Sequence, residues 1–67
     1  MADRTDAARD RWLRAWLDRD PRHRLEVDPC LLALGEHSVW LYCSDAVVAS
    51  GATWRDAIDR AIDGEHG

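Results

Sequence analysis

From residue 5 to residue 18 apolar side chains recur at helical spacing: Ala8, Trp12, Ala15 and Trp16 define a stripe that Leu13 and Leu17 widen. Asp10 and Arg14 form an acid-first i, i+4 pair on its flank. Asp20-Pro21 stops the helix, because the residue before proline is pushed out of the α region. Further on the period changes to two. Val39, Leu41 and Cys43 alternate with Trp40 and Tyr42, Ser44-Asp45 supplies turn residues, and Ala46 to Ser50 is a second β-prone run that meets Gly51. Thr53 is placed to cap a closing helix near residues 54 to 63, with Asp56 three positions on. Trp54, Ala57, Ile58, Ala61 and Ile62 are its apolar stripe.

Two segments between these elements are less clear. Arg22 to Asp28 reads as a basic connector in which Leu25 and Val27 offer a short extended piece. Cys30 to Leu34 is apolar throughout and admits two readings. Asp28-Pro29 has the form of an N-cap with proline at the first helical position, and Gly35 could close a single helical turn. A strand paired with Val39 to Cys43 across Gly35 to Ser38 is the preferred alternative, since five residues are few for a helix. In that register Leu34 faces Val39, Leu32 faces Leu41, and Cys30 faces Cys43, where a disulfide becomes geometrically accessible. The Ser44-Asp45 turn likewise sets Leu41 opposite Val48 and Cys43 opposite Ala46.

The expected fold is one α+β domain spanning residues 1 to 67, in the order α-β-β-β-α. Its sheet is a small three-stranded antiparallel meander (Leu31 to Leu34, Val39 to Cys43, Ala46 to Ser50) with two packed helices, and Trp12, Trp16, Leu41, Val48, Ile58 and Ile62 form the core. One sheet face presents Cys30, Leu32, Leu34, Val39, Leu41, Cys43, Ala46 and Val48. The other carries Leu31, Ala33, Trp40, Tyr42, Val47 and Ala49 and needs a cover of its own, either a helix or another molecule. Trp40 and Tyr42 are therefore candidate partner-binding residues, Trp and Tyr being frequent anchors of binding patches.

Sixty-seven residues bury only about 60% of the unfolded surface and leave no room for an enclosed active site, so binding by surface is the expectation. A hydrophobic fraction of 46% with four tryptophans supports a core despite 33% charged residues, which argues against intrinsic disorder. No apolar run reaches membrane-span length and the N-terminus is charged where a signal peptide would be apolar, so no membrane association and a cytoplasmic location are expected. All nine basic charges are Arg, and Lys, Asn, Gln and Phe are absent. That bias points to a GC-rich coding genome, bacterial or carried by a phage of such a host.

Charge is distributed unevenly. Residues 1 to 24 hold seven Arg against five Asp, giving +2, and residues 25 to 67 hold two Arg against eight acids, giving −6, together the net −4 of the chain. Asp45, Asp56, Asp59 and Asp63, with Glu65, are candidates for an acidic patch that imitates phosphates before a basic, nucleic-acid-binding partner; the plainer reading is a solvated helix face laced by the i, i+4 pairs Arg55 with Asp59 and Asp56 with Arg60. Direct nucleic-acid binding is not expected, because Asp3, Asp6, Asp10, Asp18 and Asp20 nearly cancel the field of the N-terminal arginines. Cys30, His37 and Cys43, with His23 and His66 elsewhere, lack the close pairing of metal sites, so no metal and no cofactor are expected. No serine, cysteine or histidine comes with a recognisable catalytic partner, so no enzyme activity is expected either.

Gly51, Thr53, Asp56 and Ala57 match the "G-[DT]-T-x-x-[ED]-A" junction from sheet to packed helix of HicB-like antitoxin domains, and the segment from Ser44 to Ile62 resembles that entry. The resemblance implies a hairpin followed by a packed helix, and a small regulator that neutralises an RNase toxin. In size, acidity and lack of active-site motifs the chain also resembles the small phage or mobile-element inhibitors of host defence, the anti-CRISPR proteins among them. That likeness implies a non-enzymatic inhibitor in a bacterial host cell, acting on a basic nucleic-acid-binding protein or complex by steric occlusion or phosphate mimicry. A homodimer through the second sheet face is the other partner expected.

Overall fold

The computed structural model describes residues 4–66, without the side chain of His66, and Asp3 lies outside them. Helix α1 spans Asp6–Arg19, strand β1 His23–Val27, helix α2 Pro29–Ala33, strand β2 Val39–Cys43, strand β3 Ala46–Gly51 and helix α3 Trp54–His66. The strands form one antiparallel sheet in the order β1-β2-β3, flanked by the two long helices, so the fold is the expected small α+β meander. Thr5 caps α1, its Oγ1 accepting the Ala8 N–H at 3.1 Å. Asp20 ends it in an extended conformation, as proline at the next position requires.

The first strand is not where the sequence placed it. Residues 31 to 34 were expected to pair with β2, but Pro29–Ala33 is a helical turn, and His23–Val27 takes the strand position instead. Local chemistry decides the matter. The Asp28 carboxylate accepts the N–H groups of Cys30 (3.0 Å) and Leu31 (3.1 Å), and Pro29 occupies the first turn, where its missing donor costs nothing. At the other end Gly35 adopts φ 71, its N–H reaches the Leu32 carbonyl, and the Glu36 N–H reaches that of Leu31, a complete Schellman closure. The register deduced for a strand at residues 30 to 34 therefore falls, and with it the pairing of Cys30 with Cys43; both cysteines are free, Cys30 exposed on α2 and Cys43 at the end of β2.

The β2–β3 hairpin turns at Ser44-Asp45, with Ser44 in the left-handed region at φ 56. Cys43 pairs with Ala46 as expected, but a bulge shifts the ladder, so Leu41 faces Ala49 instead of Val48. Val48 is the extra residue. It stands 47% exposed, outside the core for which it was a candidate, while Ala49 is buried.

Both long helices lie on the same side of the sheet. Leu25, Leu41 and Ala49 form a row across the three strands, and Leu13 and Trp16 of α1 meet Ile58 and Ala61 of α3 above it; Trp12, Leu17, Trp54 and Ile62 close the margins. Ser38, fully buried, ties the strand ends together. Its carbonyl accepts from Asp28, its N–H donates to Gly51 and its hydroxyl donates to the Ala52 carbonyl. The opposite sheet face, with Arg24, Glu26, Trp40, Tyr42, Val47 and Ser50, receives no long helix.

Candidate functional site

Alternation along the strands puts the candidate anchors on this helix-free face. Trp40 sits between Glu26 and Ser50 in the sheet, and Tyr42 between Arg24 and Val47. Each aromatic ring has an immobilising neighbour. The Arg24 guanidinium lies over the Tyr42 ring, 4.3 Å from its centroid, while its Nε donates to Glu26 at 3.2 Å. His37 meets Trp40 edge-on at 5.9 Å and shares a 2.6 Å hydrogen bond with the Ser50 hydroxyl. Trp40 and Tyr42 then form one wall of an open cleft of about 380 Å3, whose other lining residues are Glu26, Val27, Asp28 and Pro29. The start of α2 thus builds the cleft's far side, and Glu26 brings a carboxylate to its rim. Neither contribution was foreseen, because both depend on β1.

The expected acidic residues divide. Asp45 is exposed in the hairpin turn, away from the others in sequence and element, and Asp56 is exposed in the first turn of α3, where its backbone N–H donates to the Thr53 hydroxyl. Asp59 and Asp63 face α1. Asp59 accepts a two-bond fork from Arg9 (2.9 and 3.1 Å), Asp63 accepts from Arg4 (3.0 Å), and Glu65 accepts from Arg19 (3.0 Å). Arg55 reaches across to Asp6 by a second fork, and Arg60 donates to the Ser50 carbonyl, so neither i, i+4 pair expected within α3 forms. The reason is packing: with α1 and α3 side by side, Arg9 takes Asp59 and Asp6 takes Arg55, while Arg60 turns to the end of β3. The positive N-terminal third and the negative C-terminal helix neutralise each other inside the molecule.

These forks make a pH signature. The hydrogen bonds from Arg9, with its charge, hold the Asp59 carboxyl below its ordinary value of 3.8, and those of Arg55 and Arg9 do the same for Asp6. A carboxylate whose pKa is lower in the folded state stabilises the fold above its unfolded value, and loses that contribution as pH falls through the folded one. The urea midpoint should therefore hold steady on the neutral side and decline as pH drops below about 3.8. Replacing Arg9 by Met should shrink that acid decline in a midpoint-versus-pH series, and an unchanged decline would mean the fork contributes nothing.

A second grouping lies at the other end of β2. Strand pairing sets His23 opposite Cys43, and Asp20, at the end of α1, joins them so that one ligand-type atom from each lies within 4.8 Å of the others. Three donors of Arg22 engage the Asp20 carboxylate and hold it well below the usual carboxylate range.

Among the described residues no helix is long and apolar enough to cross a membrane. No protein-family model, no curated protein and no solved structure matches the chain.

Proposed function

We propose that this chain is a non-enzymatic binding module of a bacterial host cytoplasm, whose helix-free sheet face docks on a basic nucleic-acid-binding protein or complex and occludes it sterically. The observation that carries this reading is the cleft beside Trp40 and Tyr42 with Glu26 at its rim. Aromatic faces and a carboxylate are together the chemistry that receives an arginine or lysine side chain; the chain's own Arg24, which lies over Tyr42 and donates to Glu26, fills that role in the free protein, so a partner's cation would displace it or seat against Trp40. Steric occlusion is favoured over phosphate mimicry because Asp59 and Asp63 are engaged with Arg9 and Arg4, which leaves Asp45 and Asp56 as the less committed of the four candidate aspartates.

The test begins with affinity purification from a GC-rich bacterial host and measures binding of the captured protein to defined variants. Trp40→Ala should weaken binding by about 30-fold, the loss of a single anchoring aromatic, with little change in salt dependence. Glu26→Gln should weaken it less and flatten its salt dependence, since an exposed charge steers more than it holds. Parent-like affinity in Trp40→Ala removes the docking face from consideration. An RNase toxin among the captured partners would instead favour the HicB-like reading, and a concentration-dependent dimer abolished by Trp40→Ala would assign the face to a second copy of the chain.

A further inference from the structure

The geometry points to a site for a zinc-class divalent cation formed by Asp20, His23 and Cys43, on the helix-covered side of the sheet and apart from the Trp40 cleft. One ligand-type atom of each residue lies within 4.8 Å of the other two, and all three residues are half-buried. Zinc bonds of about 2.0 to 2.3 Å in tetrahedral geometry put ligand atoms roughly 3.5 Å apart, so a pair at the 4.8 Å limit would have to close by about 1 Å. The Asp20 and Cys43 side chains, at a helix end and a strand end, can do so by small torsional changes around the held His23 ring. Three protein ligands leave the fourth position to water, and a thiolate with an imidazole selects zinc, cobalt or copper over magnesium and calcium, which prefer oxygen.

The independent support is the way His23 is held. Its Nδ1 lies 2.6 Å from the Trp16 carbonyl oxygen, which can only accept, so Nδ1 carries the proton and the neutral ring keeps its lone pair on Nε2. Donation of the second ring nitrogen to a backbone carbonyl is how proteins orient a ligating imidazole. The ring is also stacked on the Trp16 indole, centroids 3.9 Å apart and planes within 5°, which fixes its plane. The His23 N–H, moreover, donates to the Asp20 carbonyl at 3.0 Å, so the turn itself sets the spacing of two of the three residues. Arg22 opposes the cation, since its guanidinium and backbone N–H occupy Asp20 and must be displaced in part. On binding, the Cys43 thiol releases its proton to solvent and the sulfur joins the metal as thiolate.

Titration of the full, reduced chain with Co2+ alone tests this directly. Thiolate-to-cobalt charge-transfer absorption should appear, saturate at one equivalent, and bleach on addition of Zn2+. Cys43→Ser should abolish the band, Cys30→Ser should leave it intact, and Asp20→Asn should weaken Co2+ binding by about 10-fold or more. Arg22→Ala should tighten binding, a gain that a purely structural role for these residues would not produce. Absence of the band in the parent chain overturns the proposal, as does a band that survives in Cys43→Ser or disappears in Cys30→Ser, or an Arg22→Ala variant that binds Co2+ no more tightly than the parent.

Discussion

Replacing Ile58 by Ala should lower the unfolding free energy by about 2 to 5 kcal/mol, read from the urea or thermal transition. Ile58 is fully buried in the cluster of Leu13, Trp16, Leu41, Ala49 and Ala61, where α3 meets both α1 and the middle of the sheet. Its side chain has no route to solvent, so truncation leaves a void bounded by three elements that cannot all collapse into it. A chain of 67 residues has a total stability of roughly 3 to 10 kcal/mol, and the variant should sit close to its unfolding threshold. Ile62, one turn further and only partly buried, should cost less on the same change. A loss below about 1 kcal/mol at Ile58 would mean that α3 turns a different face to the sheet.

Gly51→Ala should be comparably damaging for a different reason. A Cβ at this position would stand 2.6 Å from the Asp56 Cβ and 2.9 Å from the Ala57 backbone nitrogen, closer than real atoms approach. Neither obstacle is the far end of a flexible side chain, so α3 as a whole would have to lift from the end of β3. That shift would also disturb the Thr53 cap, whose hydroxyl accepts the Asp56 N–H at 3.1 Å, and the Ser38 N–H bond to the Gly51 carbonyl. A cost of about 1 to 3 kcal/mol is expected from overpacking, with loss of the cap adding to it. A thermal transition unchanged from the parent would show that strand and helix are not in the close contact described.

Much of this architecture is legible in the residues themselves. Thr53 as a cap, the stop at Asp20-Pro21, the Ser44-Asp45 turn and the stripe through Ala57, Ile58 and Ala61 are local signals, and the structure repeats them. The errors occur where hydrophobicity and local chemistry disagree. Residues 30 to 34 are apolar enough to suggest a strand, yet Asp28, Pro29 and Gly35 supply a full set of helix terminators, and backbone hydrogen bonding won; Leu32 and Leu34 remain exposed as the consequence. His23 to Val27 alternates as a strand should, with Leu25 inward and Arg24 and Glu26 outward, but Arg24 and the preceding Arg22 make it resemble a basic linker. The displacement at Val48 comes from one inserted residue that no two-residue alternation can announce.

The candidate sites follow the same division. Trp40 and Tyr42 share a face by alternation alone, which sequence shows directly. Glu26 joins them only across the β1–β2 ladder, as His23 reaches Cys43 only through the same pairing, so one misassigned strand hides both partners. Metal-ligand spacing rules are built on neighbours along the chain, and a ligand pair opposed across strands lies beyond them.

The bulge at Val48 also bears on solubility. As one of the two outer strands of the sheet, β3 presents a backbone edge, closed at Ser50 by Arg60, beside the exposed aliphatic side chains Val47 and Val48, a combination on which strands of other copies could add. An inserted residue bends such an edge and interrupts the even two-residue repeat that an incoming strand needs for continuous pairing. The irregularity that moves Val48 out of the core thus also removes the even edge on which a second strand could pair without interruption.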